Sequence, residues 1–85
     1  MKSKHAKTLR AIFTKPTLAT ISFSDIEALI IALGGTVCEE EGSRVALHLG
    51  SGAVKHAHRP HQGKEAKKYQ IEEIRVWLEH QGVKP

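Results

Sequence analysis

Arg44-Val45-Ala46-Leu47-His48-Leu49 alternates strictly and runs straight into Gly50-Ser51-Gly52. A period of two places Val45, Leu47 and Leu49 on one face of a strand and Arg44, Ala46 and His48 on the other. A three-residue glycine loop then predicts a hairpin, with Ala53 to His58 returning as the second arm. Loop length sets the register: Leu49 meets Ala53, His48 meets Val54, Leu47 meets Lys55, Ala46 meets His56, Val45 meets Ala57, and Arg44 meets His58. A one-residue slip would invert the returning strand. It turns Val45, Leu47, Leu49, Ala53 and Ala57 toward a core and leaves Arg44, His48, His56 and His58 on the open face. Lys55 falls on the apolar side, where its stem must carry the charge out to the sheet edge.

The segments around this hairpin complete the fold class. Ser3 to Phe13 has Ala6, Leu9, Ile12 and Phe13 at helical spacing, and Lys15-Pro16 stops it. Thr17 to Phe23 is β-prone and reads as an extended linker. Ser24-Asp25-Ile26-Glu27 has the form of a capping box, followed by the apolar stripe Ile26, Leu29, Ile30 and Leu33 and a left-handed stop at Gly34-Gly35. Thr36–Glu40 reads as the first strand, with Glu41-Gly42-Ser43 as the turn into the second. Arg59 to Lys68 is a basic loop. Tyr69 or Gln70 opens a last helix, with Ile71, Ile74, Trp77 and Leu78 on one face and Gly82 ending it. The order α-α-β-β-β-α predicts an α+β domain: a three-stranded antiparallel sheet with helices on one face.

Eighty-five residues allow one domain, or one domain with a short arm. Aromatic residues make up only 5% of the chain, so Ile, Leu, Val and Ala must build the core. The lone Cys38 excludes an internal disulfide and a cysteine-based zinc cage. It reads as a small strand residue, and Trp77 as core. No apolar run approaches the roughly 18–20 residues that span a bilayer, and no signal-peptide segment opens the chain. The expectation is a soluble, cytoplasmic protein with no membrane partner.

Net charge is +4, and its distribution is uneven. Residues 1–20 hold five Lys/Arg and no acid, residues 21–41 five acids and no base, and residues 42–69 six bases and one acid. A polyanionic partner follows from such a pattern, although a merely solvated surface fits it too.

Three of the six histidines, His56, His58 and His61, fall within six positions. His-x-His is a spacing that zinc sites use. Here its neighbours are Lys55, Arg59 and Lys64, which repel a divalent cation, so neither a metal nor another cofactor is expected. Arg44, His48, His56 and His58, continued by Arg59, His61, Lys64, Lys67 and Lys68, instead suit RNA cleavage without a metal. One neutral imidazole can take a 2′-hydroxyl proton, while cations hold phosphates and steady the phosphorane. The same residues also fit a solvated polar sheet face, and the residues alone leave both readings open.

The stretches Asp25-Ile26-Glu27 through Gly34-Gly35, Glu41-Gly42-Ser43-Arg44, Arg59-Pro60-His61, and Lys64-Glu65 before the last helix resemble the HicA family in order and spacing. These are the small toxins of HicA–HicB toxin–antitoxin pairs. The likeness covers roughly residues 22–83, which divides the chain into an N-terminal helical arm (1–20) and a HicA-like domain (21–85). It implies a double-stranded-RNA-binding-domain-like α-β-β-β-α core, ribosome-independent and metal-independent mRNA cleavage, and neutralisation by a HicB-like antitoxin in a hetero-oligomer.

The family typically has Gly-Ser-His, with that His catalytic, where this chain has Gly42-Ser43-Arg44. The hairpin register offers a replacement, because His58 lies across from Arg44. The expected roles are His58 as general base, Arg44 as phosphate stabiliser, and His61 as acid or phosphate ligand. Ser43, His48, His56, Arg59, Lys64, Lys67 and Lys68 are expected to hold RNA. A non-catalytic RNA-binding module and a protein-interaction domain are the competing expectations.

Overall fold

Residues Arg44–His48 and Val54–His58 pair antiparallel in the expected register, from His48 opposite Val54 to Arg44 opposite His58. The Leu49 N–H donates to the Ala53 carbonyl at 2.9 Å and closes the loop end of the hairpin. The computed structural model describes residues 1–85. In chain order its elements are helix α1 (Ser3–Ile12), helix α2 (Phe23–Ala32), strand β1 (Thr36–Glu39), strand β2 (Arg44–His48), strand β3 (Val54–His58) and helix α3 (Lys68–His80). The three strands form one antiparallel sheet in the order β1-β2-β3. The fold is α+β.

One core joins all six elements except β1, which adds only the partly buried Val37 at its margin. Val45, Leu47 and Ala57 of the sheet pack against Ile26, Leu29 and Ile30 of α2 and Ile71, Ile74 and Leu78 of α3. Fully burying each Val, Leu or Ile among them contributes about 1.5–3 kcal/mol. Leu9 and Ile12 of α1 belong to the same cluster, so the helix of the 1–20 segment is packed into the body of the protein. Lys55 also resolves as anticipated: it points toward α3, and its Nζ lies 3.0 Å from Glu73.

Ala46 departs from the expected pattern. It lies on the open face yet is buried, because its methyl group sits between its cross-strand neighbours Cys38 and His56.

The expected capping box does not form. α2 begins at Phe23, one residue before Ser24, with Ser22 in the cap position and no side-chain capping bond. The Ser22 and Ser24 hydroxyls bond each other at 2.8 Å instead. The early start follows from the linker: Ser22 bridges to Glu65, and the Phe23 N–H donates to the Lys64 carbonyl at 2.8 Å. That pairing holds the chain extended up to Ser22 and releases it into the helix at Phe23. Gly34 does end α2 in the left-handed region at φ 87°. α3 starts at Lys68, one to two residues before the expected Tyr69 or Gln70, which places Gln70 in the first turn.

Candidate functional site

Arg59 continues the pairing beyond β3: its N–H donates to the Ser43 carbonyl at 2.8 Å. The His58 backbone therefore faces away from β2, which makes Arg44 and His58 a non-hydrogen-bonded cross-strand pair. In such pairs the Cα atoms approach to about 4.5 Å and the side chains crowd closer than at the neighbouring positions. Both residues are exposed.

The outward backbone of His58 would be an open sheet edge, but Gln70 closes it. The His58 N–H donates to Gln70 Oε1 at 2.8 Å, and Gln70 Nε2 donates to the His58 carbonyl at 2.6 Å. One buried side-chain amide thus stands in for a strand residue and fixes the chain at His58. Gln70 was not among the sequence candidates. The signal was present, since Gln70 precedes Ile74 by one helical turn and so puts a polar side chain on the apolar stripe of α3.

Beside this clamp lies an open cleft of about 270 Å³, lined by Ser43, His58, Arg59, Pro60, His61, Lys67, Tyr69 and Gln70. His61 and Lys67 also line an adjoining recess with Gln62 and Glu65. Five of the sequence candidates thus meet at one place: Ser43, His58, Arg59, His61 and Lys67. Arg44 pairs with His58 on the neighbouring strand but does not line the cleft. Lys64 and Lys68 are exposed on the loop and at the start of α3. His48 is not brought to the cleft. It lies four residues along β2 from Arg44, about 13 Å away at the rise of an extended strand.

Two of the expected RNA contacts already have protein partners. Arg59 donates from Nε and one terminal nitrogen to Glu27 Oε2 at 2.9 and 2.8 Å, and its other terminal nitrogen pairs with Glu39. The hydrogen bonds Arg59 donates to Glu39 and then to Glu27 raise its pKa above the ordinary arginine value, so this side chain is a fixed cation. Its geometry makes it a strut between α2, β1 and the segment after β3. His56 Nδ1 lies 3.1 Å from Glu40, which separates it from His58 despite the shared face.

Chemically, the cleft offers imidazoles that can exchange protons, a flanking guanidinium at Arg44, and the Lys67 ammonium. No three His, Cys, Asp or Glu side chains come together as a metal-binding group. No helix is long and apolar enough to cross a membrane. No family model, curated protein or solved structure matches the chain.

Proposed function

We propose that this chain is an endoribonuclease of the HicA toxin kind. On this reading it is a cytoplasmic protein that cuts mRNA without the ribosome or a metal, suppresses translation, and is neutralised in a hetero-oligomer by a HicB-like antitoxin. The run α2-β1-β2-β3-α3 is then the double-stranded-RNA-binding-like core, and α1 is an addition to it. The observation that carries the reading is the meeting of His58, His61, Ser43 and Lys67 in one cleft, with Arg44 directly opposite His58.

In this mechanism His58 accepts the proton of a ribose 2′-hydroxyl, and the 2′-oxygen attacks the adjacent phosphorus. Arg44 and Lys67 stabilise the charge that builds on the phosphorane. His61 protonates the departing 5′-oxygen. The products are a 2′,3′-cyclic phosphate and a free 5′-hydroxyl, so the proton taken by one imidazole is matched by the proton given by the other. Gln70 holds the backbone of the base, and the Glu27–Arg59–Glu39 strut holds the segment between base and acid.

Arg44 in place of the family's His favours one other reading, a binding module of the same fold that no longer cuts. Incubating single-stranded mRNA with the purified chain in excess EDTA separates the two. The nuclease reading expects cleavage that survives chelation and falls about 10²–10⁴-fold in His58→Ala or His61→Ala, the usual worth of a general acid or base. Intact RNA with salt-sensitive binding would identify the module instead.

A further inference from the structure

Helix α1 carries a row of exposed cations. Lys4, Lys7 and Arg10 follow each other at intervals of three residues, about 4.5 Å of rise each, and all three are exposed. Lys7 and Arg10 form no ion pair, and Lys4 reaches only Asp25, at 3.8 Å with 69% of its side chain exposed. The first turn of the helix contains no acid, and Lys2 and Lys4 stand at its positive end, where the helix dipole disfavours them. Lys4 gains nothing from the helix dipole and Lys7 stands mid-helix, whereas Arg10 in the last turn is at the end where the dipole favours a cation. The other side of α1 is committed to the core through Thr8, Leu9 and Ile12.

Backbone pairing ties the segment beside this row to the loop that lines the cleft. Lys4 and Lys7 line a depression that also includes Thr20 and Ile21. The Ile21 carbonyl accepts the Ala66 N–H at 2.8 Å, and Ser22 bridges to Glu65. Glu65 lies in the recess that shares His61 and Lys67 with the cleft. The two carboxylates along the way, Asp25 and Glu65, are outnumbered by Lys4, Lys7, Arg10, Lys64 and Lys67.

We propose that Lys4, Lys7 and Arg10 form a second contact for an RNA backbone, a phosphate track that extends the footprint of the cleft onto α1. This rests on the RNA reading above and adds a binding element outside the chemistry. A lipid surface is the poorer fit, because an interfacial helix needs an apolar face to bury in the membrane and that of α1 is already in the core.

The test is binding of 2′-O-methyl RNA, which lacks the reacting hydroxyl, at two lengths: about 4 and about 16 nucleotides, the limits that small single-strand-binding folds cover. Wild type is compared with Lys7→Gln/Arg10→Gln across a salt series, with circular dichroism as the fold control. The track predicts that the negative slope of log affinity against log salt becomes shallower by about 1.4 for the long oligomer, two lost contacts at about 0.7 each, and is unchanged for the short one. Equal slopes for wild type and variant on the long oligomer overturn the track, as does an equal loss on both lengths. Capture of wild type but not variant by phosphatidylglycerol vesicles, with RNA slopes unchanged, overturns it in favour of a membrane. Cleavage of unmodified RNA by the same two proteins is scored separately. Uncut RNA with the length-dependent slope change rejects the nuclease and keeps the track; cut RNA without it does the reverse.

Discussion

Gln70 grips residue 58 by its backbone, accepting the His58 N–H and donating to the His58 carbonyl through one buried amide. The contact ties the first turn of α3 to the end of β3, so the histidine proposed as base is held by helix packing as well as by sheet pairing. It also blunts the edge of β3 where an open strand would invite pairing with another chain.

Gln70→Leu leaves the His58 N–H and carbonyl without their protein partners. An unsatisfied buried group costs about 1–3 kcal/mol, and relaxation toward solvent at the strand end keeps the total near the middle of that range. Urea unfolding should show a loss of about 2 kcal/mol with the m-value preserved. On the proposed nuclease reading, kcat should fall while the KM for RNA holds, because the clamp orients His58 and touches no phosphate. Gln70→Glu keeps the acceptor and loses the donor, so it should fall between the two. A Gln70→Leu protein that is destabilised but turns over normally would leave the clamp a purely structural role.

The Glu27–Arg59–Glu39 strut gives an asymmetric prediction. The side chain of Glu27 is 18% exposed and takes two N–H groups, whereas that of Glu39 is 74% exposed. Exposed pairs contribute little, so Glu39→Gln should shift stability by less than about 0.5 kcal/mol and Glu27→Gln should cost about 1 kcal/mol. The raised Arg59 pKa sets the sign of the pH effect. A cation with a raised folded pKa contributes fully below its unfolded value and loses that contribution only as pH rises through the folded one. The Tm difference between wild type and Glu27→Gln should therefore stay constant from neutral to moderately alkaline pH. A difference that shrinks within that range would show that the strut is not what Glu27 supplies.

What the sequence made legible, and what it hid, divides by range. The β2–β3 register was legible because a short glycine loop and a period-two pattern are both local and admit one pairing. Glu27 was misread for the opposite reason. Its spacing from Ser24 satisfies a local capping motif, but its partner is Arg59, 32 residues away, and only the folded chain brings them together. The candidate cleft shows the same division. His58, His61 and Lys67 could be singled out as residue types in a basic stretch, while Gln70 acts through backbone atoms of a distant strand and has no motif. The packing of α1 was hidden similarly, since its helical spacing predicts an apolar face without saying what covers it.

Gly35 and Gly50 separate two reasons for a glycine near a turn. A Cβ on Gly35 would lie 2.0 Å from the His48 carbonyl oxygen and 3.0 Å from Ile30, both parts of packed elements. Gly35→Ala must therefore push β1 away from β2 or from α2, at a cost of roughly 2–4 kcal/mol. A Cβ on Gly50 would meet only the Gly34 carbonyl, at an ordinary 3.7 Å. Gly50→Ala should be neutral within about 0.5 kcal/mol. Paired thermal melts test this directly, and equal effects at the two positions would contradict the packing of the α2–β1 turn.

Arg75 answers how α1 is held to the rest of the fold. Its side chain is buried, with no carboxylate within pairing distance, and it donates to the Ile12 carbonyl at 2.8 Å, the Thr14 carbonyl at 3.2 Å and the Thr17 hydroxyl at 2.9 Å. The two carbonyls are groups that a helix end and the following turn leave without intrahelical partners. A cation there also complements the negative end of the α1 dipole. Arg75→Met preserves the stem and its packing but strands the acceptors, so it should cost about 2–4 kcal/mol. The loss should be uneven. Amide exchange in α1 should accelerate far more than in α2 or the sheet, because the substitution loosens one helix while the α2–β–α3 core keeps its own contacts. Uniform acceleration across the chain would show instead that α1 and the core unfold as a single unit, and that the helix is as integral to this fold as the sheet.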